Sequence, residues 1–292
     1  MESHNKQEQI LQNKIIKSSH SNDHVSIVKK NNKLLIKKIF TQNLSRSLKN
    51  INKQILFNSL KLSSSQTHAI EVISLKNNQK NIEILMPYIF GLNGAEIISE
   101  LSYDLGKFLS KSLDSYIHDI FEKSEINEIS ISVFKKKFFE IKKKNKDVRL
   151  INFFNCITNE LSLFPEFIEF PVGYCHGDLT LSNLIITKEN KIYLFDFLDI
   201  YFESPLQDIV KLKQDFVHGW SFRYENKAMQ NRAKIFSIHN TPKLINYYSK
   251  KYSNQIYLLE LLSLSRIVPY IRDDLTVLWL INSLNNIIKK KR

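Results

Sequence analysis

The sequence predicts an α+β chain of two lobes, a small N-terminal lobe built on an antiparallel sheet and a larger, mainly helical C-terminal lobe. Three observations point there. The first part of the chain alternates β-prone runs with short polar turns, and Met86-Pro87-Tyr88-Ile89-Phe90-Gly91-Leu92-Asn93-Gly94 then breaks that texture with one Pro and two Gly. Beyond this connection, apolar residues recur at helical spacing. The boundary is accordingly placed between an N-terminal lobe of residues 1–88 and a C-terminal lobe of residues 89–292.

Element by element, His24-Val25-Ser26-Ile27-Val28 and Lys33 to Ile39 flank Asn31-Asn32, two residue types that tolerate the left-handed backbone of a tight turn, and so predict a hairpin. Leu48, Ile51, Ile55, Leu56 and Leu60 lie at helical spacing and predict a helix over 44–60. Strands are predicted from Ala69 to Leu75 and from Ile82 to Met86, joined by the polar turn Lys76 to Asn81. Past the connection, Ile97, Ile98, Leu101, Leu105, Phe108 and Leu109 form one apolar stripe, which predicts a helix over 95–120. A second helical region is predicted over 132–163. A short hairpin follows, with strands Leu184-Ile185-Ile186 and Ile192-Tyr193-Leu194-Phe195, and the chain after Asp208 is helical again, ending in the apolar runs 258–268 and 275–288.

Composition limits the function classes. With 292 residues, 43% of them hydrophobic, the chain is able to bury a large core. It has no uninterrupted apolar run of membrane-spanning length and a polar N-terminus, which together predict a cytoplasmic protein without membrane insertion. Two cysteines, Cys156 and Cys175, offer neither a disulfide framework nor a zinc site. The formal charge of +13 is mostly Lys spread from end to end, without the Arg and aromatic interleaving of a nucleic-acid surface, so no nucleic-acid partner is expected. What remains is a general attraction for anionic ligands such as nucleotides.

The chemistry lies in Tyr174-Cys175-His176-Gly177-Asp178-Leu179-Thr180-Leu181-Ser182-Asn183 and in Tyr193-Leu194-Phe195-Asp196-Phe197. An Asp, an Asn five residues later, and a second Asp at the end of an apolar strand are the parts that phosphoryl transfer needs in that order. One carboxylate stands beside an attacking hydroxyl; an Asn oxygen and another carboxylate hold Mg²⁺ on nucleotide phosphates. The chain therefore reads as a kinase. Asp178 is the candidate base, and Asn183 and Asp196 are the candidate metal and nucleotide ligands.

These elements together resemble the aminoglycoside phosphotransferase and choline kinase-like superfamily, whose fold is that of the protein kinases. The likeness is dense over residues 170–225, continues through Ile200 to Lys211, and is nearest in look to bacterial phosphotransferases found with surface-polysaccharide genes. It implies a kinase moving the γ-phosphoryl group of ATP or GTP to a hydroxyl of a sugar, amino alcohol, aminoglycoside-like molecule or glycan precursor. It further implies that His176 and Asp208 brace the catalytic loop, and that the nucleotide base lies against the connection at Met86 and Tyr88. The acceptor would sit near Asp178 and the segment from Asp199 to Arg223, where Trp220, Phe222 and Tyr224 are either core or an apolar or cation-binding wall, and Asp199 and Glu203 are either solvent-facing loop acids or contacts of the acceptor or Mg²⁺. Leu34-Leu35-Ile36-Lys37 reads as the strand whose Lys37 reaches the phosphates, although Lys37 and Lys38 point to opposite faces and only one of them can do so.

Two departures from the family pattern stand out. No acidic residue lies between Thr41 and Leu60 to pair with that Lys, the nearest candidates being Lys53 and Gln54, and the phosphate-covering turn is Ser18-Ser19-His20-Ser21-Asn22, without glycine. The missing Glu keeps a second reading open, a catalytically weak nucleotide-binding pseudokinase that regulates a partner protein. A protein kinase fits less well, because the eleven residues between Asp196 and Asp208 leave no room for a substrate-docking activation segment.

Overall fold

The computed structural model describes residues 24–60, 62, 66–100 and 102–291. In chain order these residues form β1 (His24–Lys30), β2 (Lys33–Phe40), α1 (Leu44–Phe57), β3 (Thr67–Ala69), β4 (Ser74–Asn77), β5 (Ile82–Pro87) and β6 (Leu92–Asn93). They continue through α2 (Gly94–Glu100), α3 (Tyr103–Glu122), β7 (Glu125–Ser130), α4 (Ile131–Lys144), α5 (Ile151–Ser162), β8 (Phe167–Val172), β9 (Leu184–Ile186) and β10 (Ile192–Leu194). The chain ends in α6 (Pro205–Phe216), α7 (Lys227–Asn240), α8 (Lys243–Lys251), α9 (Ser253–Ile267) and α10 (Asp274–Lys291). The class is α+β: a small antiparallel sheet near the N-terminus, followed by a mainly helical remainder.

Two compact units emerge. One takes its described residues from Met1–Lys61, Ser65–Gly91 and Ile185–Asp199, the other from Leu62–Ser64, Leu92–Leu184 and Ile200–Arg292. Residues 185–199, with Asp196 among them, are thus part of the first unit, although the rest of that unit ends at Gly91.

In the first unit the sheet order is β1-β2-β5-β4, all antiparallel. The β1–β2 turn is formed by Asn31 and Asn32, both with φ in the left-handed region at 49° and 59°, which lets a two-residue loop follow the twist of its strands. One face of the sheet carries Ile36 and Phe40 from β2 and Ile82, Ile84 and Met86 from β5, and these pack with Ile51 of α1 and with Ile70. The predicted strand 69–75 is two strands. Thr67–Ala69 pairs in parallel with β10, whereas Ser74–Asn77 pairs with β5, and the chain changes sheets across Ile70 to Ile73. The turn after β4 is held by the Asn78 side chain, which accepts from the amides of Lys80 and Asn81.

The second unit is built around α6, eleven of whose twelve residues are buried. Pro205 at its start has no amide to leave unpaired, and the Ser204 hydroxyl accepts from the Leu206 amide, so the helix begins sharply. The long helix expected over 95–120 is two helices, with Ser102 capping the second through the Leu105 amide. The helical region 132–163 is likewise broken at 145–150 by a short 3₁₀ turn. A two-stranded ribbon not expected from the sequence, β7 against β8, precedes the His176-Gly177-Asp178 loop. Its inner side packs through Phe170, whose ring lies 5.1 Å from Phe134 and 5.0 Å from Phe202. Among the described residues, no helix is long and apolar enough to cross a membrane.

Candidate active site

The second unit holds the His176-Gly177-Asp178 loop. Gly177 has φ of 86°, a conformation that only glycine adopts without strain, and it sets the turn on which Asp178 sits. Asp208, fully buried at the start of α6, accepts three hydrogen bonds: from the His176 amide at 2.7 Å, from the Gly177 amide at 2.9 Å and from the Tyr116 hydroxyl at 2.7 Å. His176, also fully buried, accepts the Asp178 amide on Nδ1 at 3.2 Å. The loop is thereby fixed from both sides of the motif Asp.

The far end of the loop has its own brace, which the sequence reading missed. Asp215 accepts the Leu181 amide at 2.7 Å and both the amide and hydroxyl of Ser221, at 3.0 and 2.7 Å. Burial pushes the Asp215 carboxyl up, and these donors and Lys211 pull against it. Asp208, Lys211 and Asp215 are spaced i, i+3, i+7, one face of one helix, and that spacing was the available signal.

Asp178 is held through both carboxylate oxygens. Lys211 Nζ lies 3.0 Å from Oδ1, while Asn183 Nδ2 donates to Oδ2 at 3.2 Å and to the Asp178 carbonyl at 2.8 Å. Burial works to raise the Asp178 carboxyl, but Lys211, Arg266 and His176 outweigh it, and the group titrates below the usual carboxylate range. Lys211 is pushed down by its burial and drawn back up by Asp178, so each partner depends on the other for its charge. Asp178 keeps 28% of its side chain exposed, whereas Lys211 keeps 7%, so the carboxylate is the more exposed member of the pair. Asn183 directs its amide hydrogens at Asp178, leaving its oxygen as the acceptor end.

In the first unit, Asp196 follows β10 with φ of 59°, an uncommon left-handed conformation for a residue with a Cβ and a frequent mark of functional sites. Its carboxylate takes Lys38 Nζ at 2.9 Å. Lys37, named from the sequence as the phosphate contact, lies on the opposite face of β2 and pairs with Glu83 at 2.8 Å, holding that carboxyl below its ordinary range. The reason is register. Lys38 stands opposite Ile84, on the face that also carries Ile36 and Phe40, and it passes 5.0 Å from the Phe40 ring to reach Asp196.

Lys53, buried on α1, donates to the Leu198 carbonyl at 2.8 Å, and Gln54 donates to the Ile70 carbonyl and to Met86 Sδ. Met86 is therefore a core side chain, and the Tyr88 amide is bonded to the Leu34 carbonyl at 3.0 Å. Asp199 is tied by its amide to Asn50 Oδ1, and Glu203 accepts the Cys175 thiol at 3.1 Å. Of the aromatic wall, Phe222 is buried, while the faces of Trp220 and Tyr224 are covered by the Arg223 guanidinium at 3.5 and 4.0 Å. Residues Ser18 to Asn22 lie outside the described residues.

Comparison with known proteins bears on the fold and on part of the sequence. The profile of the phosphotransferase enzyme family matches residues 131–234, which include the His176-Gly177-Asp178 loop, Asn183, Asp196 and α6. The fold is similar to that of a thermostable mutant of aminoglycoside phosphotransferase APH(4)-Ia, with TM-score 0.60 and 12% identity over 93% of this chain and 92% of that one. It is also similar to that enzyme's ternary complex with AMP-PNP and hygromycin B (TM-score 0.56, 10% identity, 96% and 98% covered). The GDP and kanamycin complex of APH(2")-IIIa follows at TM-score 0.52, 13% identity, 92% and 93% covered. No curated protein matches the chain in sequence. The likeness to the phosphotransferase enzyme family thus extends over residues 131–234, and the solved aminoglycoside phosphotransferases share the fold with this chain. These matches give no support to the narrower likeness to enzymes of surface-polysaccharide genes.

Proposed function

We propose that the chain is a small-molecule kinase that transfers the γ-phosphoryl group of ATP or GTP to a hydroxyl of a small acceptor. The observation that carries this reading is Asp178, a reachable carboxylate held through both oxygens by Asn183 and Lys211 at the centre of a braced loop. In phosphoryl transfer the transition state is loose, so such a carboxylate orients the acceptor hydroxyl and takes its proton late. His176, Asp208 and Asp215 keep Asp178 in place, which preserves alignment without reorganisation during reaction.

Lys38 takes the role first assigned to Lys37 and neutralises nucleotide phosphate. The base is assigned to the connection at Met86 to Ile89, through backbone groups other than the Tyr88 amide. The Asn183 oxygen and the Asp196 carboxylate are hard oxygen donors of the type Mg²⁺ takes, and they are the residues that would hold it. Bound there, the ion would neutralise charge on the phosphates. A cytoplasmic setting is in keeping with a sequence of only two cysteines.

The pseudokinase reading retains one observation in its favour, Lys53 in the helix that usually supplies a carboxylate. Acceptor-dependent ADP or GDP release, measured beside Mg²⁺-nucleotide thermal shifts, separates the two. A shift together with turnover supports the kinase; a shift with only trace transfer to every acceptor supports the regulator; no shift with any nucleotide sinks both.

A further inference from the structure

The surroundings of Asp178 are unusual in their charge. Lys211 uses one ammonium hydrogen on Asp178 and another on Gln214 Oε1 at 3.3 Å, leaving one for a ligand. Gln214 in turn accepts the Ser263 hydroxyl at 3.2 Å, which ties α9 to this face of α6. Three residues beyond Ser263, on the same face of α9, stands Arg266, whose charge reaches Asp178, Lys211 and Tyr201. One Arg266 guanidinium nitrogen, Nη1, is buried without any hydrogen-bond partner, as is the Tyr201 hydroxyl. A buried guanidinium nitrogen with no acceptor is costly, and an arriving anionic oxygen would remove that cost.

The neighbouring carboxylates do not supply that acceptor. Asp208 and Asp215 are bonded to the loop backbone, to Tyr116 and to Ser221, and Glu260 is paired with Lys213 at 2.9 Å and with His218. A cationic acceptor would therefore meet two cations beside the base and no uncommitted acid among these.

We propose that Lys211 and Arg266, with the Tyr201 hydroxyl, form an anion subsite that receives a carboxylate or phosphate group of the acceptor, so that the hydroxyl offered to Asp178 belongs to an anionic polyol or sugar. This rests on the kinase reading and narrows its acceptor to one charge class. An amine-rich acceptor is excluded by it.

The test uses the full chain and matched probes: glucose, glucosamine, glucuronate and glucose 6-phosphate, each measured by thermal shift with and without Mg²⁺ and AMP-PNP. A shift confined to the two anionic members is expected, and whichever is stronger tells carboxylate from phosphate. Arg266→Gln should weaken that binding about ten- to a hundredfold, the usual effect of losing a charged hydrogen-bond partner, while Arg266→Lys keeps part of it. The melting temperature of each unliganded variant reports whether it is folded, and its nucleotide-induced shift should equal wild type. A shift with glucosamine, equal shifts across the four probes, no shift with either anion, or an unchanged response in Arg266→Gln would overturn the subsite. If nucleotide shifts the protein and the anions do not, the subsite falls alone; if nucleotide produces no shift, the kinase reading falls.

Discussion

Lys38 Nζ lies 2.9 Å from Asp196 Oδ1, joining a strand near the N-terminus to a carboxylate 158 residues later. In this chain the β2 lysine meets the motif carboxylate directly, and the position of the absent helix acid is filled by Lys53, bonded to the Leu198 carbonyl. The first unit thus brings two lysines and one strained Asp to the end of β10.

That pairing predicts different outcomes for adjacent lysines. Lys38→Ala should weaken nucleotide binding by about tenfold or more, the usual loss for a hydrogen bond to a charged group, as measured by titration with ATP and GTP. Lys37→Ala removes a half-exposed pair with Glu83 and should leave affinity within about twofold, since exposed ion pairs contribute little. The reverse result would put the phosphates on the other face of β2.

Lys211 should govern the pH dependence of turnover. The Asp178 carboxyl titrates below its ordinary value when folded, so the ion pair stabilises fully above the ordinary carboxylate range and is lost as pH falls through the depressed folded value. Lys211→Met removes a charge that opposes burial, the Asp178 value rises, and the acid limb of the pH–rate profile should move to higher pH. Because Asp178 keeps 28% exposure, the stability loss should be about 1–3 kcal/mol, below that of a fully buried pair. An unmoved acid limb would assign Lys211 a structural role only.

Asp208→Ala strips three donors of their acceptor in a fully buried position, the His176 and Gly177 amides and the Tyr116 hydroxyl. A loss of about 3–5 kcal/mol is expected in urea denaturation, with turnover falling as the loop loosens. Tyr116→Phe removes only one of these bonds and should cost about 1–2 kcal/mol.

Gly94, at the start of α2, backs the catalytic loop closely. A Cβ there would stand 2.9 Å from the Leu181 carbonyl oxygen and from its Cβ, both closer than real contacts. Gly94→Ala should destabilise by about 1–3 kcal/mol and lower turnover through displacement of the loop. Thermal melts and initial rates on the same preparation would reveal either effect.

Much of the fold was legible because local chemistry and tertiary structure agree. Asn31-Asn32 specified a two-residue turn, the Pro and Gly of residues 86–94 marked where strands give way to helices, and the motif placed Asp178, Asn183 and Asp196 in sequence. What failed depended on contacts that sequence does not display. The break at Ile70 to Ile73 divides one β-prone run between two sheets, and only strand pairing reveals it. β7, mostly exposed and containing Glu125, Asn127 and Glu128, lacks the alternation by which a half-buried strand is recognised. Which of Lys37 and Lys38 shares a face with Ile36 and Phe40 depended on the pairing of Lys38 with Ile84 across the sheet. Lys211 and Asp215 were hidden by α6 being buried all round, so that charged residues on it had no polar face to mark them.

The most direct measurement compares wild type with Asp178→Asn for nucleotide affinity and for acceptor-dependent ADP or GDP release. The substitution keeps the size of the side chain, so affinity should stay within about twofold while turnover falls about 10²- to 10⁴-fold, the contribution of a positioned acid–base group. Equal and substantial turnover in the two proteins would contradict the assignment of Asp178 as the base.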